Sequence, residues 1–361
     1  VKSSLKLGRV FGIPISLHLT FILFVAFLGM VYLFQGGTKA ALTGVSFILA
    51  LFVSVTLHEL GHSLVARGFG VKVRGIVLLP IGGVSQMEEM PQQPNQEFLI
   101  ALAGPATSVA LGLVLGAASL LLYGPAATFK TTVTGGLFLP NLARVNLLLA
   151  IFNLLPGFPM DGGRIFRAVL ARAMPFDRAT AIAASVGRVF AIGLGLVGLF
   201  TNIWLAFIAV FIYFGASSEA NQVRIRTALH DVPVRRVMAT KFETLSPDDR
   251  VSRAVEHAYN GFQEDFPVVE GDKLVGILMK PDVLAALHEY GPGATVGRVM
   301  RTEFTTATAD QTLEQVYAAI QTCRCSSLPV LESGRIVGLV TLEALGRYLV
   351  FAGAGSGANQ A

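Results

Sequence analysis

The chain has 361 residues, 53% of them hydrophobic and 14% charged, with a mean hydropathy of +0.63. Those proportions exclude a single soluble globule and point to a membrane protein. The net charge of +5 is scattered through loops instead of gathered in a stripe, so it reads as cytoplasmic loop bias and implies no nucleic-acid partner.

From the N-terminus, Lys2, Lys6 and Arg9 precede a long apolar run that no small-residue cleavage pattern follows. That start reads as a retained first membrane helix from Leu17 to Phe34, not as a signal peptide. Apolar segments fall at 17–34, 41–65, 98–122, 145–155, 181–200 and 203–215, which predicts six spans, the last three short or interrupted. An even number puts both ends on one side. Arg67, Lys72 and Arg74, the four arginines between Arg164 and Arg178, and Arg224 and Arg226 fall on that side with the N-terminal cluster, whereas Lys39 and Lys130 fall opposite. The side richer in basic residues is expected to be the cytoplasm. A single tilted helix over Val189–Gly215 is the alternative to a hairpin turning at Thr201-Asn202; the basic residues after Gly215 favour the hairpin. Arg188, inside the fifth segment, has no functional reading beyond snorkelling to the headgroups. Small residues four apart, Gly187, Ala191 and Gly195, and Ser108, Gly112 and Gly116, are read as close-packing positions between helices.

The second segment ends in V-T-L-H-E-L-G-H-S, residues 55–63. His58 and His62, four apart, share one face of a helix with Cβ atoms roughly 6 Å apart, a spacing that lets both imidazoles reach one Zn²⁺. Glu59 stands beside them, placed to take a proton from water, which is the mechanical sense of H-E-x-x-H. The bland alternative is a short polar face buried in a bundle, but three ionisable groups within such an apolar stretch need a reason to leave water.

Residues 71–87 carry β-branched runs on either side of Pro80 and Gly82-Gly83, which predicts a hairpin at the membrane face. An open sheet edge cannot face lipid, so the hairpin is either covered or left to accept a strand. Ile76 and Val77 are taken as positions whose amides donate to such a strand.

After the short fourth segment, residues 153–164 read N-L-L-P-G-F-P-M-D-G-G-R. Two prolines and three glycines stop the helix, and irregular backbone at membrane depth is tolerated where it lines a cavity. Asp161 is therefore expected to face a cavity. Catalytic zinc takes three protein ligands and one open position, and Asp161 is the carboxylate in the later segments placed to complete the histidine pair. The competing reading is a loop cap in which Asp161 pairs with Arg164.

H-E-L-G-H together with N-x-x-P-x-x-P-x-D-G-G-R resembles the site-2 protease family of intramembrane zinc metalloproteases. R-V-F-G-I-P-I-S-L-H, L-L-P-I-G-G-V and A-L-A-G-P-A at 101–106 resemble the same family in the same order, so the likeness covers residues 1 to about 220. The resemblance implies one zinc per chain on His58, His62 and Asp161, Glu59 as general base, and Asn153 in contact with substrate near the scissile bond. It implies a membrane-anchored protein substrate, cut near the cytosolic leaflet, with lipid as the surrounding medium.

Residues 233–350 hold an internal repeat at a constant offset of 62: P-V-R-R-V-M recurs as T-V-G-R-V-M, and F-P-V-V-E-G-D-K-L-V-G-I as L-P-V-L-E-S-G-R-I-V-G-L. The pattern resembles a pair of CBS domains, 233–290 and 295–350, which implies a pseudo-symmetric module that binds adenine nucleotides and often dimerises. In that family a Thr or Ser three residues after a glycine and an Asp six after it hold ribose and phosphate. The first copy has Gly276, Met279 and Asp282 and the second Gly338, Thr341 and Ala344, so Asp282 and Thr341 are the nucleotide candidates and each copy keeps one half. A dimerisation or substrate-docking module is the alternative. Cys323 and Cys325 are read as too close for an ordinary disulfide and as reduced, in a cytosolic setting. The tail 351–361 is read as flexible.

The sequence thus predicts a polytopic α-helical membrane protein, a six-span core with a membrane-associated β-hairpin over residues 1–220, followed by an α/β CBS pair. Its expected place is the cell membrane, multi-pass with both ends cytoplasmic, as a homodimer through the CBS pair. Two function classes compete: a zinc endopeptidase, and a CBS-regulated ion transporter or channel using the same polar cluster as an ion site. A base flanked by two ligands favours the first.

Overall fold

The computed structural model describes residues 4–87, 93–129, 137–261, 263–323 and 325–357. The chain divides into two compact units, Val1–Asn221 and Gln222–Ala361.

In the first unit, strands β1 (Ser4–Val10) and β2 (Ile13–His18) lead into helix α1 (Leu19–Gly68), then β3 (Val73–Leu79), β4 (Gly82–Met87), α2 (Pro94–Phe129), α3 (Phe138–Asn153), α4 (Asp161–Leu170) and α5 (Phe176–Thr201), and α6 (Ile203–Leu229) begins in it and ends in the second. Helix α1 is broken where Gly36 and Gly37 leave helical geometry, Gly37 at φ 72°. The two halves fold back on each other there: a Cβ on Gly29 would stand 3.1 Å from Val45, and one on Gly44 would stand 2.5 Å from the Tyr32 ring. Helices α5 and α6 likewise separate at Asn202, which is extended, while its amide bonds to the Gly198 carbonyl and its Oδ1 accepts from the Trp204 amide. A Cβ on Gly198 would meet the Ala206 backbone at 2.5 Å, so this is a hairpin and not one long helix.

Leu19–Gly68, Pro94–Ala126, Phe176–Thr201 and Ile203–Leu229 are long and apolar enough to cross a membrane, and Phe138–Asn153 is a shorter apolar helix. Large apolar side chains cover the outside of these helices, Phe34, Leu121 and Phe200 being among the most exposed. Such a surface is costly in water and suited to lipid.

The sheet departs from the sequence reading in two ways. Residues 4–18 form β1 and β2, and the first helix starts at Leu19, not Leu17. The strand order is β1-β2-β3-β4, with β2 parallel to β3 (Ile15 opposite Ile76, Ser16 opposite Val77) and β3 antiparallel to β4. Ile76 and Val77 are therefore in an interior strand, paired on both sides, and the open edge on that side of the sheet is β4. The cause is burial. Ile13, Ile76 and Leu78 pack with Phe21, Phe52 and Leu60 in one core, so the sheet turns that face to α1.

In the second unit, α7 (Val251–Asn260), β5 (Phe266–Glu270), β6 (Lys273–Leu278) and α8 (Lys280–Glu289) precede α9 (Val296–Val299), β7 (Ala307–Thr308), α10 (Leu313–Cys323), β8 (Ser327–Glu332), β9 (Arg335–Thr341) and α11 (Leu342–Gly357). The 62-residue repeat is reproduced in register: Val268 opposes Gly276 and Val330 opposes Gly338, and in both copies a bulge follows the first of the pair. Each hairpin is bridged by the segment that leads into the other copy, Ile277 with Arg301 and Leu339 with Ala239. The copies are thereby interlocked.

Two further readings are corrected in this unit. Cys323 and Cys325 form a disulfide, their Cα atoms 5.2 Å apart, within the range a disulfide spans. The cysteines thus lend no support to a reducing compartment. Helix α11 runs to Gly357 through most of the expected flexible tail, since its first turns are fixed by buried Leu345 and the Thr341 cap and propagation costs less than nucleation. Residues 358–361 of that tail lie outside the described residues.

Candidate active site

His58, Glu59 and His62 sit near the end of the second half of α1. The one-turn spacing stacks the imidazoles edge to face, with ring centroids 4.8 Å apart. Asp161, 99 residues beyond His62, opens α4 and turns its carboxylate toward them. Its Oδ2 lies 3.1 Å from His58 Nε2 and 3.2 Å from His62 Nε2, and the two Nε2 atoms are 3.2 Å apart.

The local sequence explains how Asp161 arrives there. The 154–160 loop is packed backbone to backbone against α5: a Cβ on Gly187 would stand 2.2 Å from the Phe158 carbonyl oxygen, and one on Gly163 would stand 2.5 Å from the Gly157 backbone. Any side chain at these glycines would lift the loop and withdraw Asp161. Phe158 is buried, and Arg167, one and a half turns along α4, lies 4.8 Å over its ring. Arg167 also lies over Phe176 and pairs with Glu97 at the start of α2 and Glu219 on α6. This buried arginine, which the sequence reading did not single out, ties four elements around the loop.

Three donor atoms forming a nearly equilateral triangle with 3.1–3.2 Å edges fit a tetrahedral zinc. Bonds of 2.0–2.1 Å place such ligand atoms roughly 3.3 Å apart. Two imidazole nitrogens and a carboxylate oxygen converging in a buried pocket want a cation, and His58, His62 and Asp161 form the sole group of metal-ligand spacing among the described residues. Asp161 approaches both histidines; the described contacts do not include the Arg164 cap.

The triangle opens into a cavity of about 1060 Å³. Apolar residues of both halves of α1 and of α3 line it, with Glu59, Asn153, Arg164 and β4. Strand β4 is held there by a 2.7 Å hydrogen bond between Ser63 and Ser85, and a Cβ on Gly83 would stand 2.6 Å from Glu59 Cγ. Asn153 lines the cavity while its Nδ2 donates to the Leu149 carbonyl at 3.0 Å.

Residues 46–140 and 133–194 match the family model of peptidase family M50, and 234–289 and 296–350 match that of the CBS domain. The zinc metalloprotease MJ0392 of Methanocaldococcus jannaschii is 40% identical over 281 residues, 76% of this chain and 78% of that protein. The chain belongs to peptidase family M50. The M50 protein is similar also to stage IV sporulation protein FB of Bacillus subtilis, 29% identical over 189 residues, 51% of this chain and 60% of that one. The solved site-2 protease from Methanocaldococcus jannaschii is 41% identical and covers 60% of this chain and 95% of its own, with a TM-score of 0.45. By its family and its 40% identical relative this chain is a zinc metalloprotease with a CBS pair and with helices long and apolar enough to cross a membrane, and the transporter reading is set aside.

In the CBS pair, the two nucleotide candidates lie in different places. Asp282 accepts two hydrogen bonds from Arg301, at 2.8 and 2.9 Å, while Thr341 Oγ1 accepts from the Ala344 amide as the cap of α11. Arg301 borders a cavity of about 300 Å³ with Ile277, Met279, Phe304 and the two cysteines. Arg188, whose role the sequence leaves open, donates to Ser185 on its own exposed helix face.

Proposed function

We propose that this M50 protease cleaves membrane-anchored proteins within or beside their membrane span, using His58, His62 and Asp161 to hold one zinc and Glu59 as general base. The observation that carries this reading is the 3.1–3.2 Å donor triangle set into the wall of an apolar cavity that also contains a carboxylate and a sheet edge. Zinc held by these ligands supplies Lewis acidity and lowers the pKa of water to about 7. Glu59 takes a proton from the attacking water as its oxygen bonds to the scissile carbonyl carbon, and delivers it to the amide nitrogen as the C–N bond breaks. Asn153, in the cavity wall, is assigned to substrate contact. A helical substrate must unwind first, and β4, the open edge beside Glu59, accepts the unwound segment as an added strand.

Six segments cross the bilayer in this reading: the two halves of α1, α2, α3, α5 and α6. β3 and β4 lie at the membrane face and both termini are cytosolic. Loop charges support that orientation. The CBS pair acts as a regulatory and dimerising module without nucleic acid, and the 300 Å³ cavity beside Arg301 is its proposed adenine-nucleotide site. The domains follow as 1–220, 233–290 and 295–350.

Glu59→Gln tests the core of this reading. It removes the base and no ligand, so the purified variant retains one zinc per chain while cleavage of a single-span substrate falls roughly 10²–10⁴-fold. Wild-type cleavage in that variant excludes Glu59 as base.

A further inference from the structure

Ile100, Gly104 and Ser108 stand four apart on α2 and share one face. All three are buried, and that face is turned to the histidine pair on α1. The Ile100 carbonyl oxygen lies 2.7 Å from His62 Nδ1. A carbonyl only accepts, so Nδ1 carries the proton and Nε2 is left as a lone pair. One turn beyond Gly104, Ser108 Oγ lies 2.9 Å from His58 Nδ1, 50 residues away in sequence. Between these two anchors a Cβ on Gly104 would stand 2.1 Å from His62 Nε2 and 2.6 Å from His58 Nε2. Both separations are far inside van der Waals contact, and the first equals a zinc–nitrogen bond of about 2.0–2.1 Å, so a side chain at 104 would occupy the space in front of the ligand nitrogens.

We propose that this face of α2 is the positioning element of the metal centre: the Ile100 carbonyl and Ser108 fix the tautomer and ring orientation of His62 and His58, and Gly104 keeps open the space at their Nε2 atoms. The assignment rests on the two histidines being zinc ligands. It gives A-L-A-G-P-A, residues 101–106, a physical purpose, because its glycine faces the ligand nitrogens. It also separates Ser108 from Gly112, which packs against Leu147 on α3, although both belong to one small-residue stripe. With Nε2 directed at a cation, His58 Nδ1 donates to the Ser108 hydroxyl. Such partners typically change metal affinity 10–100-fold when removed.

The test uses the full-length protein in detergent micelles, loaded with zinc and challenged with a chelator, and in parallel loaded with cobalt(II) for its ligand-field spectrum. Ser108→Ala is expected to lose zinc roughly 10–100-fold faster and to shift the cobalt bands. Gly104→Ala is expected to hold no zinc while retaining its helical circular dichroism. Ser119→Ala is the matched control: it removes another buried hydroxyl of α2, bonded to Thr128 at 2.9 Å and remote in sequence from the histidine contacts, and leaves both readouts unchanged. Ser108→Ala deletes one atom and adds none, so it carries the test even where Gly104→Ala does not accumulate. Wild-type zinc release and cobalt spectrum in Ser108→Ala overturn the proposal, as does an equal loss in Ser119→Ala. His58→Ala/His62→Ala separates the two levels. If that double variant keeps stoichiometric zinc the ligand assignment itself fails, whereas if it loses zinc while Ser108→Ala behaves as wild type only the α2 proposal fails.

Discussion

Arg167→Met is expected to be the most damaging single change outside the metal ligands. Arg167 is 2% exposed and Glu97 fully buried, and Arg167 donates to Glu97 Oε1 from Nε at 2.8 Å and also from Nη2. Glu97 Oε2 has no hydrogen-bond partner among the described residues, so the arginine is what compensates this carboxylate. Removing one member of a buried pair costs about 3–5 kcal/mol, because the other charge is left behind. Methionine keeps the apolar stem length but abandons the two ring contacts, at 4.8 and 4.6 Å, worth roughly 0.5–2 kcal/mol in all. In Arg167→Met/Glu97→Gln the stranded charge is gone, so the loss shrinks to about 1–2 kcal/mol, roughly 2–3 kcal/mol less than in the single variant. Equilibrium unfolding in detergent micelles measures both variants. Because Arg167 braces the loop that presents Asp161, zinc content after dialysis is expected to fall with stability in the single variant and to recover partly in the double. A single variant within 1 kcal/mol of wild type, or a double as unstable as the single, refutes the reasoning.

Gly83→Ala places a methyl 2.6 Å from Glu59 Cγ and 3.2 Å from Val55, so Glu59 must move. Cleavage is expected to fall at least about tenfold, or about 1.4 kcal/mol, with zinc content unchanged by metal analysis. Ile76→Pro lies in a strand paired with both β2 and β4, so it is expected to lower the unfolding midpoint and not merely substrate binding; an unchanged midpoint contradicts the strand order. In the second unit, the hydrogen bond to Glu314 at 2.5 Å raises His230 above its ordinary value of 6.5. Its contribution is complete below that value and is lost as pH rises through the raised one. Burial alone would raise Glu314, but bonds from His230 and Arg226 outweigh it and lower the group below 4.5; its share is present above that value and is lost as pH falls through the lowered one. Calorimetry of the full chain is expected to show the second unit most stable between the two, and His230→Gln to flatten the alkaline side.

The convergence of the two histidines and Asp161 was legible in the sequence because its parts are written locally. His58, Glu59 and His62 occupy one helical turn, the glycines and prolines around Asp161 occupy one loop, and the 62-residue repeat returns with its registers intact. Each of these signals depends on residues a few positions apart, where helix and turn geometry fixes who can meet whom. What the tertiary structure decided is where segments distant in the chain meet. Residues 4–16 carry no element in the sequence reading, and β2 becomes a strand because residues 15–17 pair with 76–78 while Ile13 packs into the core with Phe21 and Phe52 of α1. That pairing moved the open edge from Ile76 to β4. Arg167 meets Glu97 across 70 residues, Ser108 meets His58 across 50, and Asp282 is taken by Arg301 across 19. A buried arginine, a stripe of small residues and two cysteines two apart each read the same way in sequence whatever they face. Only the packed fold selects their partners, since the cost of burying a charge or an imidazole is settled by what stands against it.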